Sequence, residues 1–216
     1  MNLTSRPALS RRRGAARRVG AMAVVMAMAL SLTACGAKDK EAQVVPETEP
    51  GKCPVAAGEG LPQLGQDGSD SARGCTIPTV EGVDLAGKEM TISPDGKAKL
   101  IVFLAHWCPH CQAEVPRIVE HLPDSPMPDD VELIGVATAH NPSAPNYPAV
   151  DWLEREKWTA PTLDDVDDEA AQKFGLNSFP FFVAVDADGK VVARGSGELT
   201  MDQFDDLVKA ASTGSV

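Results

Sequence analysis

With 216 residues, 43% of them hydrophobic and 24% charged, the chain has room for one ordinary domain plus extra segments, and it lacks the composition of a disordered protein. The net charge of −11 is uneven: the first 35 positions carry six arginines (Arg6, Arg11, Arg12, Arg13, Arg17 and Arg18) and no acid, which leaves −17 on the remainder. So acidic a body repels a phosphate backbone, and nucleic-acid binding is excluded.

The arginines precede an apolar run from Val19 to Leu32, shorter than a comfortable membrane span. The run ends in Leu32-Thr33-Ala34-Cys35-Gly36, which resembles the lipobox of bacterial lipoproteins. That resemblance implies lipidation of Cys35 and removal of residues 1–34; the competing reading is an ordinary signal peptide with an incidental cysteine. From 35 to 77 the chain is rich in Gly, Pro, Gln and acids without a sustained apolar period. It is expected to be a tether, or an N-terminal extension folding back near its end.

Setting Cys35 aside leaves Cys53, Cys75, Cys108 and Cys111, an even set that suits an oxidising compartment. Cys108 and Cys111 stand at redox-motif spacing, which leaves Cys53 and Cys75 as a second pair. A structural staple is the expected role of that pair, ahead of a thiol relay. A zinc site is disfavoured because neither Cys53 nor Cys75 belongs to a second short-spaced pair.

From residue 78 the elements follow in order. Leu100 to Leu104 is a continuous apolar run, expected as a strand buried on both faces. Gln112 to Leu122 carries Val115, Ile118, Val119 and Leu122 at helical spacing, with Pro116 removing one backbone donor. Val131 to Ala137 reads as a second buried strand. Ala149 to Trp158 reads as a helix with a thin face of Val150 and Leu153, and Ala170, Ala171 and Phe174 as a shorter one stopped by Gly175. Phe181 to Val185 and Val191 to Ala193 flank a hairpin turn at Asp186 to Gly189. The last helix opens on Thr200-x-x-Gln203, a capping box, and presents Met201, Phe204, Leu207, Val208 and Ala211 on one face. This order predicts an α/β fold, with a central mixed sheet flanked by helices on both sides.

Phe103-Leu104-Ala105-His106-Trp107-Cys108-Pro109-His110-Cys111-Gln112-Ala113-Glu114-Val115-Pro116 resembles the active-site strand, turn and kinked helix of thioredoxin-like proteins, in particular the exported TlpA/ResA branch. Phe174 to Pro180 resembles that family's loop before its cis-proline, and Val185 to Lys190 its final hairpin. The resemblance covers about residues 78–212. It implies a thioredoxin-like thiol–disulfide oxidoreductase that needs no cofactor beyond the Cys108–Cys111 disulfide. Its partners would be exported client proteins with cysteines, and a membrane redox partner that resets the pair.

Physical chemistry assigns roles within the motif. Disulfide exchange needs a thiolate, and Cys108 is expected at a helix N-terminus, where free amides favour negative charge. Pro109 suits the first helical position, and His110 adds a positive charge near the sulfur. Cys108 is then the nucleophile and Cys111 the buried resolving thiol. Glu114 matches the family's Glu three residues after the second cysteine, which implies a proton-transfer role toward Cys111; an exposed helix glutamate is the plain alternative. By resemblance, Phe179-Pro180 is the cis bond facing the cysteines, rather than Ala160-Pro161. Phe179 and Trp107 would flank the client surface.

Pro109-His110 resembles the dipeptide of DsbA-type oxidases, whereas the overall branch contains many reductases. The dipeptide favours donation of disulfides, and the two cues disagree. Peroxide reduction is disfavoured because Ala105 stands where such enzymes use Thr or Ser. A copper-delivery module is disfavoured because no distant histidine motif is evident. His106, His121 and His140 lack ligand spacing, so no metal is expected. Asp164, Asp165, Asp167 and Asp168 read as a solvated helix entry.

Overall fold

The computed structural model describes residues 53–215. The expected signal peptide at 1–34 and the lipidation site Cys35 lie outside the described residues.

The longest strand, β3 (Ala98–Leu104), is buried at all seven positions. Successive side chains of a strand face opposite sides of a sheet, so such a run demands cover on both faces. It pairs in parallel with β4 (Val131–Ala137) and antiparallel with β6 (Phe181–Val185). The short β5 (Thr162–Asp164) and β7 (Val191–Ser196) complete a five-stranded sheet ordered β5-β4-β3-β6-β7. Leu100, Val102 and Leu104 face a core shared with α1 (Pro109–His121), α2 (Ala149–Arg155) and α4 (Met201–Thr213). Ile101 and Phe103 face the opposite core, with α3 (Glu169–Lys173) and residues from the N-terminal side of the domain. The mixed sheet with helices on both sides is the expected architecture. The capping box of α4 is present in both directions, Thr200 Oγ1 accepting from the Gln203 amide at 3.2 Å and Gln203 Oε1 from the Thr200 amide at 2.9 Å.

The packed unit begins earlier than residue 78. Leu61, Leu64, Ala72, Cys75 and Ile77 are buried, and the segment bonds through its backbone to the end of α3 and to the start of the edge strand β7. The Leu61 amide donates to the Lys173 carbonyl, and the Gly74 amide to that of Val191, which in turn donates back to Cys75. The apolar residues here fall at irregular intervals, so no period betrayed them. The segment is also held by a buried ion pair: the Arg194 guanidinium grips Asp70 through Nε and Nη2 and donates from Nη1 to the Phe174 carbonyl. Gly175 ends α3 with φ +67, and a Cβ there would lie 2.4 Å from the Pro62 carbonyl oxygen. The glycine is therefore required both by the left-handed turn and by the extension crossing it.

Other differences are local. β1 (Val80–Val83) and β2 (Glu89–Ile92) form a separate two-stranded ribbon whose residues are mostly exposed, leaving no apolar run to read. α2 is shorter than expected and buries Ala149, Trp152 and Leu153, so the indole rather than Val150 supplies its packing.

The structure bonds Cys53 to Cys75 across a sequence separation of 22. Opening a loop of that size releases chain entropy to the unfolded state. The Cys53→Ser/Cys75→Ser variant is accordingly predicted to lose about 3 kcal/mol in urea unfolding, by the chain-entropy relation.

Candidate active site

The end of β3 runs through four residues into α1, and this junction places the motif. Cys108 is the N-cap of α1, with extended backbone at φ −76 and ψ 121, and Pro109 opens the helix. The Cys108 amide donates to the Ala105 carbonyl at 3.0 Å, and the Gln112 amide to the Cys108 carbonyl at 3.0 Å. Cys108 keeps 6% exposure while Cys111, nearly one turn further on, keeps none. Both are free thiols here. Burial pushes the Cys111 thiol far above its ordinary range; the Ala105 amide, 3.5 Å from its Sγ, opposes that shift, and the charges of Cys108 and Glu114 add to it. The two cysteines are thus unequal: one at the helix start with a path to solvent, the other a protonated thiol in the core.

Glu114 is fully buried, which sets aside the reading of an exposed helix glutamate. Its Oε2 accepts from Arg117 Nη1 at 3.0 Å and its Oε1 from the Leu199 amide at 3.3 Å. Burial raises its pKa above the ordinary 4.5; the Leu199 amide and Arg117 pull the other way, and Glu198 adds to the rise.

His110 is exposed and directs Nδ1 to Glu198 Oε1 at 2.6 Å. Trp107 donates its indole N–H to the Ala139 carbonyl at 2.7 Å, and its ring meets Phe179 edge-on at 6.0 Å. Among the described residues the cis bonds are Tyr147–Pro148 and Phe179–Pro180, and Ala160–Pro161 is not one. Phe179 packs against the cluster that holds Cys108 and Cys111, while Pro180 is buried.

Sequence reasoning missed Arg117, Glu198 and Asp168. Asp168, at φ 58, accepts from Thr138 Oγ1 at 2.8 Å and from the Ala139 amide at 2.7 Å. Ala139 itself stands at φ 52, so this carboxylate holds the left-handed residue whose carbonyl anchors Trp107. Asp165 is likewise no solvated acid: it is buried and accepts the Ala170 and Ala171 amides at the start of α3. Asp164 pairs with His140. Glu198 and Asp168 carry no local pattern, because each acts on a partner the fold brings to it, whereas Arg117 meets Glu114 three residues away and Asp165 caps the helix that follows it.

The histidines are spoken for individually. His106 is buried, with Nδ1 at 2.7 Å from the Pro145 carbonyl and Nε2 accepting from the Asn141 amide, an arrangement that fixes its tautomer. His121 meets Asp205. Among the described residues no three His, Cys, Asp or Glu side chains are grouped to hold a metal.

A buried strand delivering a Cys-x-x-Cys pair to a helix start, opposite a cis-proline loop on a mixed five-stranded sheet, defines a thioredoxin-fold thiol–disulfide oxidoreductase. The chain belongs to the Redoxin family, whose model matches residues 72–210. It is similar to the thiol-disulfide oxidoreductase ResA of Geobacillus thermodenitrificans, 28% identical over 134 residues covering 62% of this chain and 74% of the relative. It also resembles the sporulation thiol-disulfide oxidoreductase A of Bacillus subtilis, at 24% over 121 residues, 56% of this chain and 72% of that one. Among solved structures, a thiol:disulfide interchange protein of Chlorobium tepidum superposes with TM-score 0.52 at 26% identity, covering 63% of this chain and 94% of that one. These relatives place the protein with ResA-like oxidoreductases. Enzymes of this kind work through redox-active cysteines rather than a cofactor.

A glutamate whose pKa is raised in the fold contributes stability below about pH 4.5 that is lost as pH rises through the folded value. Glu114→Gln removes that dependence, so its stability relative to the parent should increase between pH 4 and pH 7 in paired denaturation curves. Asp168→Ala strips two hydrogen bonds from the Thr138–Ala139 corner. It should cost ~2 kcal/mol of stability and raise the KM for a disulfide peptide through the loosened Trp107.

Proposed function

We propose that this oxidoreductase exchanges disulfides with exported proteins outside the cytoplasmic membrane, held there by a lipidated Cys35 and reset by a membrane redox partner. Cys108 is the attacking thiol and Cys111 the resolving one. The observation that carries this reading is their inequality: Cys108 at the helix start with access to solvent, and Cys111 wholly buried, with the buried Glu114 three residues further along the same helix. In the reducing direction the Cys108 thiolate attacks a client disulfide and displaces one client sulfur as thiolate, giving a mixed disulfide. Glu114 then takes the proton of Cys111, whose sulfur attacks Cys108 and releases the second client thiolate, leaving Cys108–Cys111 oxidised. Disulfide donation is the same sequence reversed. Trp107, Phe179 and the cis-Pro180 loop form the surface on which the client chain lies.

Direction is the finer question. Pro109-His110 favours an oxidase, since a cation near the Cys108 thiolate stabilises the reduced form. One observation favours a reductase: the His110 ring is held by the Glu198 carboxylate, a counter-charge to any proton it carries.

The test is the reduction potential of the full chain against glutathione. An oxidase is expected near ~−120 mV and a reductase at or below ~−270 mV. In parallel, Cys111→Ser should trap mixed disulfides with clients and Cys108→Ser should abolish exchange. Exchange retained in Cys108→Ser contradicts the assignment of the nucleophile.

A further inference from the structure

Glu198 lies in the turn between β7 and α4, 88 residues from the motif in sequence, yet its two carboxylate oxygens look in two directions. Oε1 stands 2.6 Å from His110 Nδ1. Oε2 stands 3.6 Å from Arg117 Nη1, the same nitrogen that lies 3.0 Å from the buried Glu114. Arg117 also donates to the Leu199 carbonyl, and the Leu199 amide donates to Glu114. The guanidinium therefore clamps the turn that carries Glu198 onto α1, and Glu198 is not a free surface acid.

We propose that Glu198 is a positioning residue for His110, holding the imidazole against a carboxylate and offsetting the charge that it presents to Cys108. This deepens the proposed function, on which it rests, by naming the group that governs how far the Pro109-His110 dipeptide pushes the pair toward oxidation. Positive charge on an imidazole beside a thiolate stabilises the dithiol form, and a carboxylate hydrogen-bonded to the same ring offsets whatever charge it carries. With the carboxylate in place the disulfide is a weaker oxidant than its dipeptide alone implies.

An exposed pair of this kind contributes little to stability, since solvent screens it. Stability and redox equilibrium are therefore separable readouts, and a merely structural Glu198 would not move the second. The experiment is a double-mutant cycle on the full chain: parent, Glu198→Gln, His110→Ala and the combined variant. Each is equilibrated with glutathione and its thiols counted by mass after alkylation.

Glu198→Gln is expected to make the disulfide more oxidising by about tenfold in the equilibrium constant, ~30 mV for a two-electron couple. In the His110→Ala background the same substitution should leave the constant unchanged within twofold. An equal shift in both backgrounds overturns the proposal, because Glu198 then acts without His110. So does no shift, or a shift toward reduction, in the parent background. The cycle is read as a ratio, so it stands apart from the direction of exchange: a parent potential at the reducing end removes the oxidase reading and leaves this one testable. Denaturation midpoints taken on the same samples check that all four variants fold.

Discussion

Everything in the site depends on one constraint, the passage of a fully buried strand into a helix start across four residues. β3 is covered on both faces, so its end is fixed by the core rather than by the loop. Ala105 and His106 remain buried beyond it, and the chain emerges only at Trp107. Cys108 therefore falls at the rim, as the N-cap of α1. Cys111 is carried back under the sheet, within reach of the Ala105 amide. The inequality of the two thiols is a consequence of packing, set before any neighbouring charge is considered.

Charge then tunes what packing has placed. An ionised carboxyl in the core is costly unless it is paired, and Glu114 is only partly compensated by Arg117 and the Leu199 amide. Its raised pKa follows. The same arginine reaches Glu198 and through it His110, so groups flanking both cysteines meet on one guanidinium. On the other side of the motif, Asp168 fixes Ala139, and Ala139 fixes Trp107. The Trp107 ring is thereby held by bonded backbone rather than left as a loose aromatic.

Much of this was legible in the sequence, for identifiable reasons. Leu100 to Leu104, Val131 to Ala137 and Phe181 to Val185 are long apolar runs, and buried strands must look like that. The Thr200/Gln203 box and the Pro109 helix start are local chemistry with local signatures. What escaped notice was either short, exposed or remote. β5 has three residues, and the β1–β2 ribbon shows solvent most of its side chains, so neither leaves a period. The packing of Leu61 through Ile77 has no repeat, because that segment crosses the end of α3 and the β6–β7 hairpin instead of forming an element. Glu198 and Asp168 act across long sequence separations, and only the folded chain brings them to the motif; Arg117 stands on α1 itself, but its reach to Glu198 and the Leu199 carbonyl is equally remote.

The central claim is the inequality of Cys108 and Cys111, and the direct measurement is the rate of alkylation at each thiol of the reduced chain, followed by mass spectrometry from pH 6 to pH 9. The account predicts that Cys108 is modified throughout this range, while Cys111 stays unmodified in the folded protein even at the alkaline end and reacts only after denaturation. Equal rates at the two sulfurs, or faster reaction at Cys111, would contradict it.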